Sequence, residues 1–264
     1  MKHELDTIQI KKIATKILVE FDRICRSNEI CYSIAYGTML GAVRHHGFIP
    51  WDDDVDVIVT REAYNKILKV AYQMKPDYEL ISLDTNSSFM APLAKIVDKN
   101  TELYQLSHKG EKVTLGVYID VFVYDKVPRD KTKRQLLYKI VSFLEKCWSF
   151  CENSSNKSGV FGCVRSLFNK TLAGRFFSLI INRIASKKRN SGIYSNLMYS
   201  VYDRNKEEVD EEDIYNVIPY EFEGERVLGF RNYDQYLKKL YGDYMELPPV
   251  EQRVTHHDFV AFYK

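Results

Sequence analysis

The 264-residue sequence lacks the features that would assign it at once to a common class of protein. Its apolar stretches, such as FFSLII at 176–181, are far too short to span a bilayer. The N-terminal residues lack the apolar segment of a signal peptide. No P-loop and no Gly-x-Gly-x-x-Gly motif is present, so the usual nucleotide-binding motifs of kinases and dehydrogenases are absent. We therefore expect a cytoplasmic protein without a transmembrane helix.

An excess of one charge and a disulfide framework are also missing. The 38 Lys and Arg residues nearly balance the 36 Asp and Glu residues, and 45% of the chain is hydrophobic, which indicates an ordinary globular protein. This balance gives no reason to expect a nucleic-acid partner. The five cysteines are an odd and widely spaced set, which favours reduced thiols.

Acidic residues are absent between Glu152 and Asp203. Basic residues alternate there with Phe, Leu and Ile at helical spacing, so residues 129–202 are predicted to form a basic helical insertion. Two interpretations stay open. The basic face is exposed to solvent, or residues 157–189 dock on anionic lipid, which would make the protein peripheral on the inner face of the cell membrane.

The order of predicted elements in residues 1–128 indicates an α+β catalytic core. Apolar periodicity predicts a first helix over 5–28. Gly37 is expected to turn the chain into a short helix, with Thr38 as its cap. Further strands are predicted, from β-branched content, at 54–59, 78–83, 89–98 and 114–124.

The remainder of the chain is predicted to be mostly helical and then irregular. Residues 130–200 are expected to be helices. Residues 203–264 are expected to form a C-terminal segment that packs on the core and completes the site, with turns and one short helix at 233–241.

Aspartates mark the most informative stretch, GFIPWDDDVDVIV. Because side chains alternate along a strand, Asp54 and Asp56 should share one face. Asp120 interrupts the apolar strand YIDVFVY, where an unpaired carboxylate would be costly. If the two strands are neighbours, three carboxylates converge, which is the oxygen environment that Mg²⁺ or Mn²⁺ prefers.

A glycine turn, a strand with Asp-x-Asp and a later third carboxylate together resemble the nucleotidyltransferase superfamily. More specifically, three blocks resemble the LicD family, to which the fukutin-related proteins are distantly related. The resemblance covers roughly residues 30–128 and 215–260 and implies a nucleotidyltransferase-like mixed sheet flanked by helices. The blocks are GTMLGAVRHHGFIPWDDDVDV, YIDVFVYDKVP and YLKKLYGDYMELPPVEQRVTHH.

The resemblance implies a metal-dependent phosphotransferase that moves phosphocholine or another phospho-alcohol to a sugar hydroxyl and releases CMP. The expected donors are CDP-choline, CDP-ribitol and CDP-glycerol. The expected acceptor is a cell-surface glycan, such as teichoic acid or lipopolysaccharide, or its lipid-linked precursor.

Carried onto this sequence, the resemblance makes Asp54, Asp56 and Asp120 the catalytic residues and the ligands of Mg²⁺ (or Mn²⁺). Asp120 would also accept the proton of the sugar hydroxyl. The backbone amides of Gly37 and Thr38 would bind the nucleotide phosphates. Four side chains are further candidates for contact with the donor or acceptor: Arg44, Lys95, Arg253 and His256.

Two other functions stay open. A glycosyltransferase also uses Asp-x-Asp with a metal ion and a nucleotide sugar. An inactive scaffold could keep this fold and bind membranes through its basic helices, although the three retained aspartates favour an enzyme.

Overall fold

The computed structural model describes residues 3–105, 115–152, 170–255 and 259–264. The helices of this part of the chain are α1 (Thr7–Ser27), α2 (Tyr36–His45), α3 (Arg61–Val70), α4 (Lys131–Glu152), α5 (Lys170–Ala185), α6 (Glu211–Ile214) and α7 (Tyr233–Tyr241). The strands are β1 (Ser33–Ile34), β2 (Asp56–Thr60), β3 (Tyr78–Ile81), β4 (Ala94–Asp98), β5 (Thr101–Gln105), β6 (Tyr118–Lys126), β7 (Ile193–Asn196), β8 (Val209–Asp210), β9 (Val217–Phe222), β10 (Glu225–Phe230) and β11 (Phe259–Tyr263).

Most strands join one mixed sheet in the order β3-β4-β6-β2-β1-β10-β9. Strand β2 runs parallel to β6, and β1 runs parallel to β10, whereas the other neighbouring pairs are antiparallel. Strand β7 pairs with the C-terminal end of β6, β8 pairs with β7, and β5 and β11 form a separate ribbon. The predicted α+β class, a mixed sheet with flanking helices, is confirmed.

The long helix α1 covers one face of this sheet. Its N-terminus is closed by a capping box, in which the Asp6 carboxylate accepts from the Gln9 amide and the Gln9 side chain accepts from the Asp6 amide. Its apolar stripe packs against β4, β6 and β10, so it spans both halves of the sheet. Within the described residues, no helix is long and apolar enough to cross a membrane.

The second half of the chain contains more strand than predicted. Helices α4 and α5 fall within the predicted helical region, but Ile193–Asn196 is a strand, because its backbone pairs with the end of β6. The C-terminal helix α7 occupies the predicted residues. The segment before it is a hairpin, β9–β10, which adds two strands to the sheet through the pairing of β10 with β1.

The turn into α2 is made by Tyr36 instead of Gly37. Tyr36 has φ of 45°, and the helix begins there without a side-chain cap. The hydroxyl of Thr38, predicted to be the cap, instead accepts a hydrogen bond from the Asp56 amide at 2.8 Å. Gly37 instead leaves room for the Asp52 side chain, since a Cβ atom at this position would lie 2.4 Å from Oδ2 of Asp52 and displace it.

Gly41 makes the close contact that fixes α2 against the loop leading to the aspartates. A Cβ atom there would lie 2.3 Å from the Gly47 carbonyl oxygen. Although alanine normally favours a helix by about 1 kcal/mol, we predict that Gly41→Ala lowers the free energy of unfolding by about 1–3 kcal/mol, because backbone must move. Urea unfolding measures this. Gly192→Ala is the control, since its Cβ would meet nothing closer than 3.8 Å. A Gly41→Ala protein as stable as wild type would contradict the prediction.

Candidate active site

Three neighbouring strands carry a row of charged side chains on one face of the sheet. Asp120 on β6 is the register partner of Asp56 on β2 and of Lys95 on β4. Directly paired residues project to the same side of a sheet, so the three side chains lie next to one another. The Lys95 ammonium group donates to Oδ1 of Asp120 at 2.5 Å and lies 3.4 Å from the centre of the Tyr118 ring. The predicted neighbourhood of the two aspartate strands is therefore present.

Asp56 carries the strongest electrostatic cost in this row. Burial raises the pKa of its carboxyl well above its usual range, and the charges of Asp54, Asp120 and Asp52 raise it further. Lys95 opposes this shift, and its own pKa is raised: burial alone would lower it, but the Asp120 carboxylate and Tyr118 reverse that effect. The charges of three carboxylates thus act on Asp56, and Lys95 opposes them.

The carboxylates supply the oxygen donors that a hard divalent cation needs. Within the described residues, however, no three Asp, Glu, His or Cys side chains form a group arranged to hold a metal ion. The side chain of Asp120 is bound by Lys95, which supplies positive charge at that point of the row. The donor chemistry and the excess of negative charge fit Mg²⁺ or Mn²⁺, and the metal assignment stays a prediction.

The first turn of α2 lies against the acidic row. Both backbone groups of Asp56 bind it: the Asp56 carbonyl oxygen accepts from the Ala35 amide at 2.9 Å, and the Asp56 amide donates to the Thr38 hydroxyl. The amides of Gly37 and Thr38 belong to this first turn, where an α-helix offers no carbonyl acceptor of its own. These two hydrogen bonds hold the start of α2 next to the strand that carries Asp56.

A buried polar network supports the start of α2. Tyr36 is 1% exposed, and its hydroxyl lies 3.0 Å from the Tyr124 hydroxyl and donates to Oε1 of Glu207 at 3.2 Å. Asn196 donates to the same hydroxyl, and the Tyr36 amide donates to the Tyr236 hydroxyl. These contacts stabilise a left-handed backbone conformation that a bulky residue adopts only under constraint. The network connects the site to strand β7 and helix α7.

Two further tyrosines lie beside the carboxylates. The Tyr202 ring is tilted against Tyr36 with centroids 5.8 Å apart, and its hydroxyl donates to the Tyr241 hydroxyl at 3.1 Å. Burial raises the pKa of both hydroxyls, and the charge of Asp56 raises it further. Sequence reasoning missed this tyrosine cluster, since nothing in the spacing of 19 tyrosines shows which ones meet.

Arg44 and Arg253 form a second, positively charged part of the candidate site. Arg44 lies in the last turn of α2 and donates to the carbonyl oxygens of Tyr244 and Glu246. Arg253 donates to the Pro248 carbonyl oxygen and packs over the Trp51 ring at 5.5 Å. Burial lowers the pKa of Arg44, and the nearby charge of Arg253 lowers it further. Two like charges this close would be stabilised by an anion between them.

The structure thus sorts the predicted site residues into two groups. Asp54, Asp56, Asp120, Lys95, Gly37 and Thr38 lie around the acidic row. Arg44 lies at the C-terminal end of α2, and Arg253 lies near it. Because an α-helix rises about 1.5 Å per residue, the two arginines are separated from the acidic row by most of the length of α2. His256 lies outside the described residues.

An acidic row across adjacent strands, next to a helix N-terminus, defines the class: an α+β protein with a candidate site for phosphate groups. A family model described as the LicD/FKTN/FKRP nucleotidyltransferase domain matches residues 29–147. Over 254 residues, the chain is 31% identical to the lipopolysaccharide cholinephosphotransferase LicD of Haemophilus influenzae, covering 93% of each protein. The chain belongs to the LicD family.

Two shorter similarities accompany this one. Uncharacterized proteins of Rickettsia prowazekii and Rickettsia typhi are each 43% identical to the chain over 47 residues, which is 18% of its length. They add no information on activity.

Glu207 should make stability depend on pH. Burial raises the pKa of its carboxyl from 4.5 to about 7. A raised pKa in the folded state stabilises the protein fully below the unfolded value and loses this contribution as the pH rises through about 7. We therefore expect the free energy of unfolding of the wild type to fall by about 3 kcal/mol between pH 4.5 and 8 because of Glu207. We predict that Glu207→Gln lacks this fall. Urea titrations at several pH values measure it, with exposed Glu212→Gln as control. Parallel pH profiles of Glu207→Gln and wild type would contradict the assignment.

Proposed function

We propose that the protein is a metal-dependent phosphotransferase that transfers phosphocholine, or a related phospho-alcohol, from a CDP-activated donor to a sugar hydroxyl and releases CMP. The observation that carries the proposal is the Asp56–Asp120–Lys95 row beside the first turn of α2. Similarity over 93% of the chain to a lipopolysaccharide cholinephosphotransferase supports phosphocholine and a glycan acceptor, which we infer to be lipid-linked.

The acidic row has the charge that this chemistry needs. We assign Asp54 and Asp56, with Asp120 as third ligand, to Mg²⁺ or Mn²⁺. A bound ion would offset the charge that develops on the transferred phosphoryl oxygens. Burial and the charges of three other carboxylates disfavour the ionised form of Asp56, and a bound cation would offset that cost.

Asp120 is the residue that we assign to the acceptor. The Lys95 ammonium group binds Oδ1 and so orients the carboxylate. We infer that Oδ2 accepts the proton of the sugar hydroxyl as its oxygen bonds to phosphorus, while the bond to CMP breaks. Lys95 then compensates for the change of charge at Asp120 during the transfer.

Among the described residues, two sets of N–H groups are candidates for hydrogen bonds to the nucleotide. The first-turn amides of α2, at Gly37 and Thr38, suit the phosphate nearest the carboxylates. The guanidinium groups of Arg44 and Arg253, whose observed acceptors include backbone carbonyl oxygens, suit a second anionic group. Gly37, Thr38 and Arg44 all lie on helix α2, which favours a fixed orientation of the donor.

Removing a carboxylate should separate activity from stability. We predict that Asp54→Asn, Asp56→Asn and Asp120→Asn each lower the rate of CMP release from CDP-choline by about two to three orders of magnitude. In EDTA at pH 7, Asp56→Asn should also raise the free energy of unfolding, because it removes a buried group whose charged form is disfavoured. CMP is measured with Mg²⁺ or Mn²⁺ and with EDTA, over a panel that includes CDP-ribitol and CDP-glycerol.

The control is Asp130→Asn, which removes the same charge at the start of α4 and keeps a residue that caps helices equally well. Full activity in any of the three site variants would contradict the assignment. Release of UDP or GDP from a nucleotide sugar, with no CMP from any CDP-alcohol, would identify a glycosyltransferase instead. An inactive scaffold would give neither product.

The two arginines should affect donor binding more than protein stability. We predict that Arg44→Gln and Arg253→Gln each raise the Kd of the CDP-alcohol donor about tenfold or more, since a charge-assisted hydrogen bond contributes about 1.5–3 kcal/mol. Quenching of tryptophan fluorescence reports binding, because Trp51 lies under Arg253. Arg226→Gln on the β9–β10 hairpin is the matched control. An unchanged Kd in both site variants would exclude these residues from the donor site.

A further inference from the structure

Helix α4 exposes a continuous apolar stripe. Leu136, Ile140, Phe143 and Phe150 have 59%, 44%, 66% and 57% of their surface exposed. They are separated by four, three and seven residues, so they lie on one side of the helix. Solvated helices usually place charged residues at such positions, and a stripe that includes two exposed phenylalanines indicates a surface that is covered by something.

Helix α5 continues this surface. Leu172, Phe176 and Leu179 are 66%, 59% and 43% exposed and follow the same spacing. Buried Val141 and Ile181 lie two positions from exposed Phe143 and Leu179, which is about 200° around the helix. Val141 of α4 and Ile181 of α5 belong to the protein core, and the two helices pack together. Both stripes are therefore turned away from the same core and form one face, which we term the α4–α5 face.

Basic residues surround the α4–α5 face. Helix α4 contains two acidic residues, Glu152 at its C-terminal end and Glu145, whose carboxylate is bound to Arg204 at 2.6 Å, and α5 contains none. The exposed basic residues of the segments 131–151 and 172–189 are Lys131, Lys133, Lys139, Lys146, Arg183, Lys187 and Lys188. An apolar stripe flanked by lysines complements the headgroups and acyl chains of an anionic membrane.

We propose that the α4–α5 face binds the surface of an anionic lipid bilayer. A second copy of the chain or another protein fits less well, because lysine is depleted in protein–protein interfaces and enriched on the polar side of helices that lie in a membrane surface. The proposal rests on exposure and charge and stands independently of the transferase activity. It locates membrane contact on α4 as well as α5, whereas the sequence pointed to residues 157–189, of which 157–169 lie outside the described residues.

The opposite side of α4 holds a segment of the candidate active site. The Glu145 carboxylate accepts from the Ser200 amide at 2.9 Å, and the Tyr138 hydroxyl donates to Glu208 at 2.9 Å. Between these two anchors lie Tyr202 and Glu207, which contact Tyr36. Docking would thus hold this edge of the site at about one helix diameter, roughly 10 Å, from the lipid, within reach of a lipid-linked glycan.

Vesicle sedimentation tests the proposal. The full chain is mixed with vesicles of equal parts phosphatidylglycerol and phosphatidylcholine, or of phosphatidylcholine alone, at moderate salt. We expect sedimentation with the anionic vesicles and a marked decrease with the neutral ones. Phe143→Ser with Phe176→Ser should lower the partition coefficient about tenfold for each residue, and Lys139→Gln with Lys146→Gln about fivefold for each.

The matched control uses exposed apolar residues elsewhere on the surface. Ile8→Ser with Tyr72→Ser replaces side chains that are 77% and 82% exposed and should leave vesicle binding unchanged. All replaced residues are exposed, and circular dichroism checks that each variant is folded. Wild type that stays in solution with anionic vesicles would overturn the proposal, as would a Phe143→Ser, Phe176→Ser protein that binds like wild type.

Two outcomes separate this proposal from its alternatives. A dimer in sedimentation velocity that the paired Phe variants dissociate, together with no vesicle binding, would show that the face is a contact between copies. CMP release from a CDP-alcohol is measured separately, with a soluble sugar as acceptor and without vesicles. Its presence without vesicle binding would therefore overturn the membrane proposal alone, and its absence with vesicle binding would overturn the proposed transferase alone.

Discussion

The parallel pairing of β2 with β6 is the contact on which the candidate site depends. It puts the Asp56 carboxylate next to the Asp120 carboxylate in a buried sheet, an arrangement that costs free energy unless positive charge is close. Strand β4 supplies Lys95 on the far side of Asp120, and β1 brings the start of α2 to the near side of Asp56. A slip of either strand by one residue would turn its carboxylate to the other face of the sheet and separate Asp56 from Asp120.

The sequence was informative where the pattern is local. Strand alternation correctly predicts that Asp120 stands out from an apolar strand, and helical periodicity predicts α1 and α7 closely. The prediction that Gly37 makes the turn into α2 was wrong, because tertiary contacts hold Tyr36 in the left-handed conformation instead. The missing side chain of Gly37 leaves space for the Asp52 side chain. No local pattern could have predicted this, since the contacts come from Tyr124, Glu207 and Tyr236.

The parts that sequence reasoning missed come from distant segments of the chain. Glu207 lies in a run of acidic residues that looks like a solvated surface, yet it is fully buried and accepts hydrogen bonds from two backbone amides. The β9–β10 hairpin contains a proline and two glycines and shows no clear alternation, but it extends the sheet beyond β1, with β9 as the edge strand. The matched family model ends at residue 147, whereas the network around Tyr36 extends to residue 236.

Strand β1 has only two residues and is paired on both sides. Its neighbour β2 follows soon after it in the sequence, whereas its other neighbour, β10, follows almost 200 residues later. The Tyr36 amide, just after β1, binds a hydroxyl group 200 residues later. During synthesis, therefore, the ribosome must release most of the chain before the start of α2 has its partners. The aspartates leave the exit tunnel early, but the site they belong to is assembled only after Tyr236 has also emerged.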